Sequence, residues 1–234
     1  MDWLYPIWYD IDGTLLHTHA GIRAFRESLL EIFGWEELLE DIVFAGNTDL
    51  GVLFQLALKH EGHEENARQH QARFFEVMTR RLDAELQRDK PLPVPGAREL
   101  VRSLQGRQRV LSALLTGNAR PCAWSKLRHA GYGEEFPHGG YGDDHPDRDT
   151  IARMAWKRLQ QTHGGPVTLL PGLVIGDTLR DIQAARAIGA RCLAVASGAC
   201  SAGALAAAGA DRVVDTLHPD PDLIDWILAP IQCG

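Results

Sequence analysis

Past residue 90 the chain alternates short apolar runs with longer stretches of helical periodicity, and no other feature constrains the fold as much. "RVLSALLTG" (109–117), "GLVIGDT" (172–178), "RCLAVASG" (191–198) and "DRVVDTL" (211–217) read as strands. The segments between and around them, "ARELVRSLQ", "ARPCAWSKLRHAGYG", "DTIARMAWKRLQQTHG", "LRDIQAARAIGA" and "AGALAAAGA", carry apolar residues at helical spacing. Strands that alternate with helices of this length build right-handed βαβ units and a parallel sheet. Leu4 to Tyr9 is a further apolar, aromatic run that ends at Asp10, and it reads as a buried strand of the same sheet. The small-residue stretch 199–210 is expected to be a tightly packed helix.

The first third differs in character. "AFRESLLEIFGWEELLEDI" (24–42), "LGVLFQLALKHEG" (50–62) and "ENARQHQARFFEVMTRRLDAELQ" (65–87) all show helical periodicity, with no clear strand. The proline-rich "RDKPLPVPGA" (88–97) reads as a linker, with Gly96 at a helix start. The expected architecture is therefore α/β. A Rossmann-like parallel-sheet core (1–16 and 91–234) is interrupted by a helical unit (17–90) inserted after the first strand.

Composition narrows the function classes. The 234 residues are 45% hydrophobic and 24% charged, which suits a soluble globular protein. The net charge of −7 argues against a general nucleic-acid binder. No apolar run approaches the roughly 18 residues of a membrane span, and no signal peptide is visible at the N-terminus. The four cysteines (Cys122, Cys192, Cys200 and Cys233) form no C-x-x-C pair, which fits a reduced, cytoplasmic protein. Ten histidines include "HTH" (17–19) and "HEGH" (60–63), but neither offers a full zinc ligand set. The six tryptophans follow no stripe and read as packing residues.

Three strands end alike, in a small polar cluster with glycine: "IWYDIDGTL", "LLTGN" (114–118) and "LVIGDTLRD" (173–181). In a parallel sheet these tips lie at one rim, where ligands bind. Asp10, Asp177 and Asp181 would then repel one another unless a cation sat among them, and oxygen donors of this kind suit Mg²⁺ together with a substrate phosphate. A free carboxylate beside such a phosphate can attack it to give an aspartyl-phosphate. A second acid two residues on, Asp12, could protonate the leaving oxygen and later activate water. Thr116 would supply a hydroxyl, and Gly117 with nearby backbone N–H groups would hold phosphate oxygens.

At these residues the chain resembles the haloacid dehalogenase superfamily, in particular its phosphoglycolate phosphatase-like members with a helical cap. "DIDGTL" is similar to that superfamily's first motif, Thr116 in "LLTGN" to the second and "GDTLRD" to the fourth. The insert at 17–90 falls where the cap falls, and "FAGNTD" (44–49) resembles a cap segment. The resemblance implies Asp10 as nucleophile and Asp12 as general acid/base. It implies Mg²⁺ held by Asp10, the Asp12 backbone carbonyl and Asp177, with Asp181 supporting the metal. It implies that Gly13, Thr116, Gly117 and Asn118 bind phosphate, and that the partner is a small phosphorylated metabolite. The third motif departs: its usual Lys-Pro is replaced by "GDDHPDR" (142–148). The resemblance offers two substitute cations, Lys126 in "SKL" first and Arg148 second.

Other residues stay open. Asp143 and Asp144 either extend the acidic cluster or serve a loop turn. Arg23, Asn47, Thr48 and Asp49 would read the leaving group or lie exposed on the cap, and His17 either faces substrate or is a surface residue. The alternatives to a phosphatase are a phosphomutase of the β-phosphoglucomutase type, a 2-haloacid dehalogenase, against which Asp12 argues, and a non-catalytic binding protein. Both a monomer and a dimer are compatible with the sequence.

Overall fold

The computed structural model of the protein describes residues 2–38, 44–163, 165 and 167–232. In chain order the elements are β1 (Asp2–Tyr9), β2 (Leu16–His17), α1 (Ala20–Phe33), α2 (Asp49–Glu61), α3 (Glu65–Arg88), β3 (Leu92–Pro93), α4 (Ala97–Leu104), β4 (Val110–Leu115) and α5 (Arg120–His129). They continue with β5 (His138–Gly140), α6 (Arg148–His163), β6 (Val167–Leu169), β7 (Leu173–Gly176), α7 (Leu179–Ala187), β8 (Arg191–Val195), α8 (Ala202–Ala207), β9 (Arg212–Val214) and α9 (Pro221–Gln232).

Alternation along β1 explains the layered core. Tyr5, Ile7 and Tyr9 point to one face of the sheet, where they pack with Leu100, Leu127, Leu223 and Ile227. Trp8 points to the other, among Ile151, Ala155, Leu159, Ile182 and Leu205. This period of two buries both faces, as a parallel sheet covered by helices requires.

The strand order is β5-β4-β1-β7-β8-β9, and β6 pairs with the first residues of β1. All these pairings are parallel. The chain winds outward from β1 through β4 to β5, and then returns to the other side through β7, β8 and β9. β1 thus lies at the reversal of strand order, where the crevice at the carboxyl ends opens. The register sets Tyr9 opposite both Leu114 and Ile175, so Asp10, Thr116 and Asp177 leave the sheet at the same rim.

Helices α1, α2 and α3 have a packed centre of their own. Phe25, Leu53, Phe74, Met78 and Leu82 are fully buried in it, with Phe25 and Phe74 edge to face at 4.9 Å between ring centroids. Ala119 and Cys122, at the start of α5, belong to the same cluster. The two chain crossings between these helices and the sheet run side by side: β2 pairs antiparallel with β3, Leu16 opposite Pro93 and His17 opposite Leu92.

Several local expectations are corrected. The helical pattern at 24–42 stops early because Gly34 takes a left-handed conformation (φ 71°) and donates its N–H to the Leu30 carbonyl, closing α1. Residues 35–38 follow without helix, and 39–42 lie outside the described residues, as does Cys233. The segment 199–210 is not tightly packed; it holds only the six-residue α8, whose one buried side chain is Leu205. The linker at 88–97 contains β3. β5 and β6, three residues each, were too short to show a period, and α9 lies beyond the last strand that the periodicity marks.

Gly140 fixes how closely α6 lies on β5. A Cβ there would stand 2.7 Å from Ile151 Cγ2 and 2.8 Å from Ala155 Cβ. Gly140→Ala is expected to cost about 1–3 kcal/mol through overpacking, measured as a lowered urea midpoint at unchanged slope.

Candidate active site

The first strand delivers two acids in three residues, and they part company at once. Asp10 extends β1, its N–H donating to the Ile175 carbonyl at 2.9 Å. The chain then turns at Gly13 (φ 77°), where any side chain would collide with the Asp177 carboxylate. A side chain on Gly198, in the loop after β8, would collide with it too. Glycines on two loops thus make the space in which Asp177 sits.

Asp177 ends β7 and Asp181 lies one turn into α7. Thr178 caps that helix: Asp181 Oδ2 accepts from the Thr178 N–H at 3.0 Å and its hydroxyl at 2.6 Å, a capping box. One carboxylate oxygen from each of Asp10, Asp177 and Asp181 falls within 4.8 Å of the others, and all three residues are buried. Arg148, the first residue of α6, reaches into this cluster. Its Nη2 lies 3.0 Å from Asp10 Oδ1 and 2.6 Å from Asp181 Oδ1, and donates to the Leu115 carbonyl at 3.1 Å.

Burial pushes the pKa of Asp10 upward, against the pull of Arg148, with Asp181 and Asp12 adding repulsion. Asp177 is raised by burial and then by Asp10 and Asp181. For Arg148, burial opposes the charge, but Asp181 and Asp10 outweigh it and raise the pKa. Asp177 Oδ1 is buried with no hydrogen-bond partner among the described residues. Clustered carboxylate oxygens, one of them unpartnered, fit a hard divalent cation in donor type and spacing.

Asp12 faces a different group. Its Oδ2 accepts from Lys126 Nζ at 2.6 Å and from Asn118 Nδ2 at 2.7 Å. Lys126 also donates to Asn118 Oδ1 at 2.6 Å, and Asn118 Nδ2 reaches Thr116 Oγ1 at 2.9 Å. Burial works against the Lys126 ammonium, yet Asp12 and Asp49 raise its pKa overall. The structure therefore brings both candidate cations to the site and assigns them to different acids, Arg148 to Asp10 and Lys126 to Asp12.

A cavity of about 500 Å³ opens on these groups. Asp10, Asp12, Gly13, Gly117, Asn118, Lys126, Arg148 and Asp177 line it, and so do His17, His19, Ile22, Phe44, Lys90 and Leu92. Thr116 lies fully buried beneath it, and Asp181 stands behind Asp10. Asn47 and Asp49 line the cavity, and Thr48 caps α2 by accepting from the Gly51 N–H at 2.9 Å. Arg23 instead pairs with Glu85 at 2.6 Å and Asp89 at 3.5 Å. Asp143 accepts from the Arg120 N–H and Asp144 pairs with Arg158 at 2.6 Å, so neither joins the acidic cluster. His60 bonds Glu37 at 2.6 Å. Ser197, Gly198 and Ala199 also line the cavity, on the loop after β8, although sequence reasoning passed them over. "RCLAVASG" shows the same signal as the other three tips, an apolar run closed by a small polar residue and glycine.

A family model described as a haloacid dehalogenase-like hydrolase matches residues 7–189, and the chain belongs to that family of hydrolases. No curated protein matches it by sequence. Among solved structures it is similar to CbbY from Rhodobacter sphaeroides in complex with xylulose-1,5-bisphosphate, at 22% identity and a TM-score of 0.69, over 92% of this chain and 96% of that one. It is also similar to a hydrolase from Pseudomonas syringae (23% identity, TM-score 0.66, 96% and 99% covered). A predicted phosphoglycolate phosphatase from Haemophilus somnus matches at 18% identity and a TM-score of 0.65, over 97% and 99%. Among the described residues no helix is long and apolar enough to cross a membrane.

Asp49 carries a testable consequence. Its Oδ2 accepts from the Ala119 N–H at 2.7 Å, and burial pushes its pKa up to about 6, against the opposing effects of Lys126 and that N–H. A carboxyl whose folded pKa is raised favours folding below its unfolded value, and that contribution is lost as pH rises through about 6. Asp49→Asn is expected to gain stability relative to the native chain between about pH 4 and 6, by up to about 3 kcal/mol. Urea unfolding across that range measures the difference.

Proposed function

We propose that the protein is a Mg²⁺-dependent phosphatase that hydrolyses a small phosphomonoester through an aspartyl-phosphate on Asp10. One observation carries this reading: a nucleophile-capable carboxylate and a second acid two residues on line one cavity, yet each has its own cationic partner. The ligand of the CbbY complex is a phosphorylated sugar, which supports the same substrate class.

Asp10, Asp177 and the Asp12 backbone carbonyl would hold the metal, with Asp181 behind them. Bound there, Mg²⁺ neutralises charge on the phosphoryl oxygens and on the acids. Asp10 attacks phosphorus. Arg148, the Thr116 hydroxyl and the N–H groups of Gly117 and Asn118 hold the phosphoryl oxygens as charge gathers on them. Asp12 gives its proton to the leaving oxygen and the alcohol departs. Asp12 then takes a proton from the water that attacks phosphorus, which frees Asp10 and releases phosphate. Lys126 and Asn118 both occupy Oδ2 of Asp12, so the travelling proton rides on Oδ1.

In this reading residues 17–90 form a cap domain over a catalytic core of 1–16 and 91–234. The paired crossings β2 and β3 act as its hinge. Closure is held by the start of α2, where Asp49 N–H donates to the Gly117 carbonyl at 2.8 Å and Leu50 N–H to the Gly142 carbonyl at 3.2 Å. These bonds tie the cap to the phosphate-binding loop, so the cap shuts where phosphate is held and keeps bulk water out. A cavity of about 500 Å³ admits a small metabolite rather than a polymer.

Hydrolysis of an aryl phosphate tests the reading. EDTA should abolish turnover and Mg²⁺ restore it. Asp10→Asn should lower kcat by about a thousandfold or more, and Asp12→Asn by about 10²- to 10⁴-fold. An Asp10→Asn enzyme with an unchanged Mg²⁺-dependent rate would refute the assignment of the nucleophile.

A further inference from the structure

A second arrangement of ligand-bearing side chains lies away from the acids. His138 opens β5, the edge strand of the sheet, and His163 closes α6. The Nε2 atoms of the two rings are 3.1 Å apart, with ring centroids at 5.0 Å and planes inclined at 77°. Both side chains are half-buried. From Arg148, at the other end of α6, His163 is removed by about 22 Å of helix.

Two facts bear on what this pair does. Its spacing is set by the backbone, because Gly140 lets α6 lie directly on β5, with Ile151 and Ala155 in the space a side chain would fill. The rings are therefore held by rigid elements and not by a loop. In addition, among the described residues no carboxylate bonds either ring; the polar partner of each imidazole is the other. An N–H···N hydrogen bond between neutral rings accounts for the contact, with one nitrogen as donor and the other as acceptor.

A chelate accounts for the spacing as well. Imidazole nitrogens bind a transition metal at about 2.0–2.1 Å, so two of them lie about 2.9 Å apart at a right angle and about 3.3 Å apart at a tetrahedral angle. The observed 3.1 Å falls between these limits. We propose that His138 and His163 form a two-imidazole site for a divalent cation of the Cu²⁺, Ni²⁺ or Zn²⁺ class, distinct from the acidic cluster. Nitrogen donors select this class over Mg²⁺ and Ca²⁺, and Cu²⁺ binds most tightly within it. No third His, Cys, Asp or Glu among the described residues closes a cluster there, so solvent would have to supply the remaining ligands. A bound cation would cross-link the edge strand to the end of α6 and stabilise the fold by mass action.

Cu²⁺ is the probe, added to the whole protein in excess Mg²⁺ so that the acids are occupied. The native chain is expected to bind about one Cu²⁺ whose EPR spectrum shows coupling to two imidazole nitrogens, with a raised melting temperature. His138→Gln and His163→Gln should each lose that two-nitrogen spectrum and weaken binding by at least about tenfold. Circular dichroism and Mg²⁺-dependent aryl phosphate hydrolysis, both expected to be unchanged, verify the fold of each variant; a correctly folded variant is sufficient for the comparison. The proposal is overturned if the native chain takes up no nitrogen-ligated Cu²⁺. It is equally overturned if a folded variant binds Cu²⁺ as tightly as the native chain, which would move the ligands to other histidines such as His17, His19 or His63.

Discussion

The guanidinium of Arg148 is the contact on which the rim of the sheet depends. Asp10, Asp177 and Asp181 are buried within a few ångströms of one another, and uncompensated charge at that depth costs several kcal/mol per ion. Arg148 touches two of the three and also donates to the Leu115 carbonyl at the end of β4. One side chain thereby ties together the tips of β1 and β4 and the start of α7. All three contacts converge on Nη2, while the buried Nε has no hydrogen-bond partner among the described residues. Asp147 bonds the Thr150 N–H at 2.8 Å in the first turn of α6, and so fixes the helix start from which Arg148 projects.

The acids are divided by their partners as much as by their positions. Asp10 and Asp12 are two residues apart, yet one faces an arginine and the other a lysine–asparagine pair that draws on a single oxygen. Asp12 keeps substantial exposure, with 41% of its side chain accessible, whereas only 6% of the Asp10 side chain is. Neighbouring carboxylates in unlike surroundings are the usual means of giving two acids two tasks.

Much of this arrangement was legible from residue order alone. The switch of period after residue 90 announced the parallel sheet, and a polar tip on each of three strands announced which side chains would meet. The register of β1 with β4 and β7, seen in the structure, brings those tips to one rim. What stayed hidden lacked a local signal. A three-residue strand such as "HGG" carries no measurable period, and glycine is among the poorest strand formers. The division of labour between Lys126 and Arg148 could not be read either, because it depends on which helix face meets which strand end. Gly34 was visible, but the apolar pattern continuing past it argued for a longer helix than its left-handed geometry permits.

Helix α5 belongs to both packed bodies. Its opening residues Ala119 and Cys122 sit among the phenylalanines of the inserted helices, while Ala123 and Leu127 sit in the sheet's own core, and Lys126 on the same helix grips Asp12. The inserted helices and Asp12 are thus joined through one helix. Thr79, whose hydroxyl meets the Cys122 sulfur at 3.3 Å, anchors α3 to the same helix that carries Lys126 to Asp12.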